Sequence, residues 1–253
     1  MIDNKIEFLV SEKYLSFAKK DKRLLPEPIK FNIPDWFKDL KHGVVEKSLK
    51  GCVPFLDAIT SGYLLKMPVD YYFEHNVVRE GERTTFWYGS LTDVARIDIF
   101  DNVNINKESF EYHPIKQLGN KCPLVHKNVD LPVHKVSNPW FIKTPPGYSC
   151  LFVPPLNNTD DRFSIISGIV DTDTFENEIN FPFIINGDKY PTLKTTIRIG
   201  TPYVQVIPFK RDNWKMSLNS VEHKKTESNK ANYFSKNILN RYKSMWWSKK
   251  SWK

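Results

Sequence analysis

Asp171 and Asp173, in the phrase SGIVDTDTFENEI (167–179), close an apolar run beside threonines. A carboxylate there could orient a water for hydrolysis, and Asp-x-Asp next to Thr equally caps its own backbone as the turn of a β-hairpin. Gln205, in TPYVQVIPF (201–209), is a polar residue in an alternating strand, where the plain reading is an outward or ladder-pairing side chain. Asp57 in VPFLDA and Asp70 in PVDYYFE could add a second acid, although acids between strands commonly serve as solvated turn residues. His126 and His134 flank NVDLPV and, with Cys122, form a partial zinc set that lacks a fourth ligand at compact spacing, so no metal site is expected. His75 and His113 have no partner legible in the sequence. Cys52, Cys122 and Cys150 are odd in number and far apart, which excludes a disulfide framework and a CxxC site. No phosphate-binding glycine loop, nucleophile elbow or His-Glu-x-x-His pair is present. The residues themselves therefore predict no catalytic centre, no metal and no cofactor.

The second group with chemical potential lies at the C-terminus. Residues 221–253 hold nine Lys or Arg against two Glu, which accounts for almost all of the net charge of +8 and leaves the rest of the chain near neutral. Phe234, Ile238, Tyr242 and Met245 follow i, i+4, i+8 and i+11, a helical stripe, and Trp246, Trp247 and Trp252 follow it. This segment reads as a solvated helix, as a nucleic-acid contact through Lys and stacked aromatics, or as a dock for a protein neighbour through its tryptophans. We expect residues 233–247 to be helical and the tail to be an interaction segment.

What must position these residues is a β-rich body. Short runs such as TTFWYGS, ARIDIF, FEYHPI, YSCLFVPP, FSIISGIVD, INFPFIIN, TTIRIG and YVQVIPF are bounded by Gly and Pro, as in all-β domains. The same texture extends through GCVPFLDAITSGYLLKMPVDYYFEHNVV (51–78). The expected organisation is an N-terminal arm (1–30), a β-rich core (31–213), and a linker with a basic, Trp-rich helix and tail (214–253). With 14% aromatic and 26% charged residues the chain is expected to fold, without intrinsic disorder. No apolar run approaches the roughly 18 residues that cross a bilayer, and MIDNKIEFLV lacks the features of a signal peptide. A soluble intracellular protein is expected, with no membrane partner.

Four phrases, in order, resemble the core of the dUTPase and dCTP-deaminase superfamily: SGYLLKMP (61–68), IKTPPGYSCLFVPPLNN (142–158), SGIVDTDTFENEI (167–179) and IRIGTPYVQVIPF (197–209). The resemblance implies a β-clip fold, assembled as a homo-oligomer and usually a trimer. It places Asp171 at the family's water-activating aspartate, Asp171 to Glu178 at the edge that reads uracil, and Gln205 at the phosphate-side glutamine. Other family positions are altered. Leu64 stands where a metal-holding aspartate is expected, Pro155 and Leu156 where an Arg-Ser pair is expected, and Gly200-Thr201-Pro202 where Gly-Asp-Arg is expected. A Lys and Trp tail replaces the glycine-rich arm that closes over phosphates. The chain also resembles a family of phage and bacterial proteins that carry phrases like CVPF (52–55) and TPPG (144–147), a kinship that implies phage origin and no particular activity.

The expectation is a non-catalytic interaction or assembly protein on a dUTPase-like platform, acting in the cytoplasm of an infected host or in a virion. The alternative is a dUTP diphosphatase-like nucleoside triphosphate hydrolase with a displaced magnesium site, in which Asp171 would be the catalytic residue.

Overall fold

A computed structural model describes residues 4–43, 45, 48–76, 85–90, 133–156, 160–221, 242–243 and 246–253. The architecture is mainly β. Two units are present, residues 1–27 with 62–210, and residues 28–61 with 211–253.

In the first unit, β1 (Glu7–Leu9) precedes helix α1 (Glu12–Lys20). Ser11 caps the helix by accepting the Tyr14 N–H at 3.3 Å, Glu12 lies in the first turn, and Lys19 and Lys20 lie in the last, each placed favourably for the helix dipole. Tyr14 and Ala18 are one helical turn apart and both buried, and Leu24 follows from a short 3-10 turn. The Tyr14 ring meets Trp140 edge-on at 5.6 Å. Residues 4–27 therefore help fill the main core, where the sequence reading expects a separate arm over 1–30. The reason is the apolar face of α1, which must be covered.

After β2 (Glu27–Pro28), α2 (Asp35–Lys38) and α3 (Val53–Thr60) comes the main run of strands: β3 (Tyr63–Lys66), β4 (Tyr71–Asn76) and β5 (Thr85–Ser90). It continues with β6 (His134–Val136), β7 (Phe141–Lys143), β8 (Tyr148–Val153), β9 (Phe163–Ile165) and β10 (Gly168–Val170). The last are β11 (Phe181–Ile185), β12 (Thr192–Ile197) and β13 (Pro202–Lys210). They form sheets in the orders β10-β8-β13-β3-β2, β6-β11-β9 and β12-β4-β5, with β1 paired to β7. Among the described residues of 142–209 there is no helix, as the alternating runs predict.

The four phrases that carry the family resemblance become four neighbouring strands. SGYLLKMP supplies β3, the Pro-Pro-Gly-Tyr phrase β8, SGIVDTD β10, and the last phrase β13. Every pairing among them is antiparallel. Cys150, Phe152, Val204 and Val206 turn one face of this sheet into the core, which also takes Phe163, Phe181 and Phe183 from the β6-β11-β9 sheet and Tyr71 and Phe73 from β4.

The second unit holds α2 and α3. Phe37 stacks on Phe55 with centroids 5.7 Å apart, and Trp36 meets Phe55 edge-on at 6.2 Å. The CVPF phrase, expected inside a β run, opens α3 instead: Pro54 sits in the first turn, where its missing N–H costs no helical hydrogen bond. Among the described residues no helix is long and apolar enough to cross a membrane.

Candidate functional site

The β10 exit and the Pro-Pro-Gly turn before β8 clamp one another. Thr144 Oγ1 and Thr172 Oγ1 share a hydrogen bond of 2.7 Å, and the Thr144 N–H donates to the Thr172 carbonyl at 3.4 Å. Asp173 Oδ2 accepts the Gly147 N–H at 2.8 Å. Gly147 has φ +84, the left-handed conformation this turn needs after two prolines. Ser149 Oγ donates to Asp171 Oδ1 at 2.6 Å. Thr172 is sealed from solvent and its hydroxyl also reaches Cys150 Sγ at 3.4 Å. Burial pushes the Cys150 thiol up to about 11, against a weaker opposing pull from Thr172. Burial likewise raises the Glu178 carboxyl.

Asp171 itself is exposed, and its carbonyl accepts the N–H groups of Thr174 and Phe175 at 3.1 and 2.9 Å. That is the geometry of a turn acid. The stretch 168–179, expected as a hairpin or a sharp strand-to-strand turn, is the latter, because β10 pairs with β8 while β11 pairs with β6 and β9. Residues 171–180 pass from one sheet to another. The nearest partner of β10 in sequence is thus not its partner in space.

Gln205 does not project into solvent: its neighbours Val204 and Val206 point into the main core, and it lies on the opposite side of the sheet. It is fully buried, and its Oε1 accepts the Leu156 N–H at 2.9 Å, so it holds the loop after β8. In register it faces Leu64 on β3 and Val153 on β8. Asp171 lies beside Ser149, four residues before Val153 on the same strand, a separation of about 13 Å at the rise of a β-strand. The two nucleotide-binding candidates therefore sit at opposite ends of β8. The turn Gly200-Thr201 is tied to the end of β3: the Gly200 N–H donates to Met67 O at 2.9 Å and the Met67 N–H to Thr201 O at 2.8 Å.

The remaining acids and histidines have local duties. Asp70 Oδ1 accepts the Ile199 N–H at 2.6 Å and its Oδ2 lies 3.2 Å from Arg198. His134 is buried between aromatic rings, 5.1 Å from both Phe73 and Phe183. Among the described residues no group of three His, Cys, Asp or Glu could hold a metal. Cys122, His113 and His126 lie outside those residues, as does the His75 side chain.

In the second unit, Asp57 of α3 meets the chain's own C-terminus. Trp247 Nε1 donates to Asp57 Oδ2 at 2.8 Å, and Lys250 Nζ approaches the same oxygen at 2.7 Å. Lys243 and Lys250 both sit within 6 Å of the Trp247 ring, at 5.9 and 5.8 Å, positions suited to cation-π attraction. Trp247 and Trp252 are half-buried, whereas Trp246 is 55% exposed. The Trp246 and Trp247 N–H groups donate to the Tyr242 carbonyl at 3.1 and 3.0 Å, a single helical turn. Phe234, Ile238 and Met245 of the expected stripe lie outside the described residues.

Sequence reasoning passed over a different segment. Every residue from 211 to 221 is exposed and outside any helix or strand. Within it Trp214, Met216 and Leu218 are 89%, 87% and 86% exposed. The signal was the alternation W-x-M-x-L directly after β13, hidden by the polar residues around it. Comparison of the chain with protein-family models, with curated proteins and with solved structures finds no match.

Proposed function

We propose that the chain is a non-catalytic assembly protein that self-associates as a homo-oligomer, a trimer in the arrangement a dUTPase-like β-clip implies. The observation that carries this reading is the apolar segment around Trp214, Met216 and Leu218. Three large side chains at two-residue spacing form one continuous apolar edge when the chain is extended, and a patch of that kind on a soluble surface marks an interaction site.

The resemblance supplies the platform, and the local chemistry fits a structural role for the motif residues. Gln205 is occupied in holding the 154–156 loop, and Asp171 and Asp173 brace the turn at Gly147. A phage particle or the cytoplasm of an infected host is the setting the second resemblance implies. No metal or cofactor enters this reading.

Light scattering on the full chain at micromolar concentration tests it. A defined oligomer is expected, reduced to monomer by the triple substitution Trp214→Lys, Met216→Lys, Leu218→Lys with the β circular dichroism unchanged. A monomeric wild-type chain overturns the proposal. So does magnesium-dependent release of pyrophosphate from a nucleoside triphosphate that disappears in Asp171→Asn.

A further inference from the structure

We infer that the second unit binds single-stranded nucleic acid, with phosphates on its lysines and bases on the exposed rings around α3. This function goes beyond the assembly reading and does not depend on it. Charge is divided unevenly between the units. Residues 28–61 with 211–253 hold 16 Lys or Arg against seven Asp or Glu, a net +9, whereas residues 1–27 with 62–210 hold 21 against 22. The net +8 of the chain therefore belongs to one unit, and a positive field concentrated in this way draws polyanions. The same unit holds five of the seven tryptophans, so cations and aromatic rings are gathered together.

Two pairings of cation and ring converge on α3. The 3-10 turn Ile29–Phe31 packs against this helix and presents Phe31, 68% exposed, with Lys30 Nζ 5.0 Å from the ring centre. Asp57 of α3 anchors Trp247, which has Lys243 and Lys250 beside its ring and the exposed Trp246 next to it in the chain. Most of the lysine charge here is not cancelled by acids. Lys50, three residues before α3, donates to the carbonyls of Lys38 and Leu40. Lys41, Lys243 and Lys249 are exposed and enter no ion pair among the described residues. Of the described acids in this unit, Asp35 is paired with Lys38 and Asp57 with Lys250, so Asp39 and Asp212 remain to offset these lysines.

Chemistry selects the ligand. A nucleic-acid strand alternates a phosphate with an aromatic base, and sites that hold single strands combine cationic side chains with rings on which bases stack. A duplex keeps its base faces inside the stack. A bilayer surface calls for a helix with its aromatics along one face, whereas Trp247 is tied to α3 by its indole N–H and residues 247–253 lie outside any helix. An acidic protein would engage the lysines and leave the exposed rings of Phe31 and Trp246 without a role.

The full-length chain is titrated into labelled oligothymidylate and binding is read by fluorescence anisotropy. Affinity should fall about twentyfold between 50 and 200 mM salt, as roughly three phosphate contacts on a single strand require. Lys243→Gln combined with Lys249→Gln should weaken binding about tenfold at the lower salt and flatten the salt dependence. Phe31→Ala should weaken it about fivefold and leave the salt dependence unchanged, because it removes stacking and no charge. Circular dichroism of the variants should match the wild type. Absence of binding at the lower salt overturns the proposal. So does equal affinity for polyglutamate, which would assign the attraction to charge alone, and so does a preference for duplex DNA or for phosphatidylserine vesicles. Unchanged affinity in both substituted chains overturns it as well. A monomeric chain that binds oligothymidylate with this pattern supports the inference while removing the assembly reading.

Discussion

Gln205 stands opposite Leu64 on adjacent strands, with both side chains sealed from solvent. The glutamine turns its amide oxygen to the Leu156 N–H at 2.9 Å, so three segments far apart in sequence meet at one buried polar group. These are the positions at which the family resemblance would set a metal-holding acid, a phosphate-binding pair and a phosphate-side glutamine. Here their shared task is to close the sheet.

Gln205→Leu should therefore destabilise the fold by about 0.5–1.5 kcal/mol, the net worth of the part-buried hydrogen bond it removes. Leu64→Asp, which introduces a carboxylate on β3, should cost more, because an unpaired charge would enter a buried site. Urea unfolding followed by circular dichroism measures both. A stable Leu64→Asp variant that hydrolyses dUTP would show that the pocket was formed and lacked only its acid.

Gly62 has φ +77, and a Cβ built there would lie 2.0 Å from the carbonyl oxygen of Val206. Gly62→Ala should lose more than about 2 kcal/mol, since backbone strain adds to a clash with a strand that cannot shift freely. Gly168→Ala, with no atom within 4 Å of its new methyl, is the control and should be nearly silent. Equal losses for the two would remove the steric argument.

Cys150 is fully buried, and its thiol is held up to about 11 from an ordinary 9.0. In that interval the folded chain keeps its proton and the unfolded chain releases it, so the Cys150 contribution to stability falls as pH rises from 9 to about 11. Cys150→Ala should flatten this part of the pH profile. At pH 8 a thiol reagent should label exposed Cys52 in the native protein and reach Cys150 only after denaturant is added. Native labelling of Cys150 would contradict the burial.

Asp57 accepts from Trp247 and Lys250 in the second unit. Removing it with Asp57→Ala should free the C-terminus, shift the tryptophan emission to longer wavelength and speed proteolytic cleavage after the terminal lysines several-fold. Lys250→Ala should do less, because the ion pair is partly exposed and worth at most about 1 kcal/mol. If Asp57→Ala leaves both emission and cleavage unchanged, the contact does not hold the tail.

Much of the β architecture was legible because its cause is local. Alternation in YSCLFV, FPFII and PYVQVIPFK, with Gly and Pro at the run ends, is written residue by residue, and those runs are β8, β11 and β13. The basic character of the C-terminus and the position of Asp171 in a turn were legible for the same reason. Partner choice was not local. That β10 leaves β11 for β8, and that Gln205 is sealed against the Leu156 N–H 49 residues before it, follow from which strands meet in space, and a one-residue change of register would reverse the face. Helix α3 escaped a β reading because it is short and stabilised by the apolar surface it covers more than by its own propensity. The tail shows the division most plainly. Composition offered its tryptophans as anchors among other readings, but only tertiary structure decided that Trp247 bonds to Asp57 of the same chain, because a hydrogen bond between residues 190 apart depends on the path of everything between them.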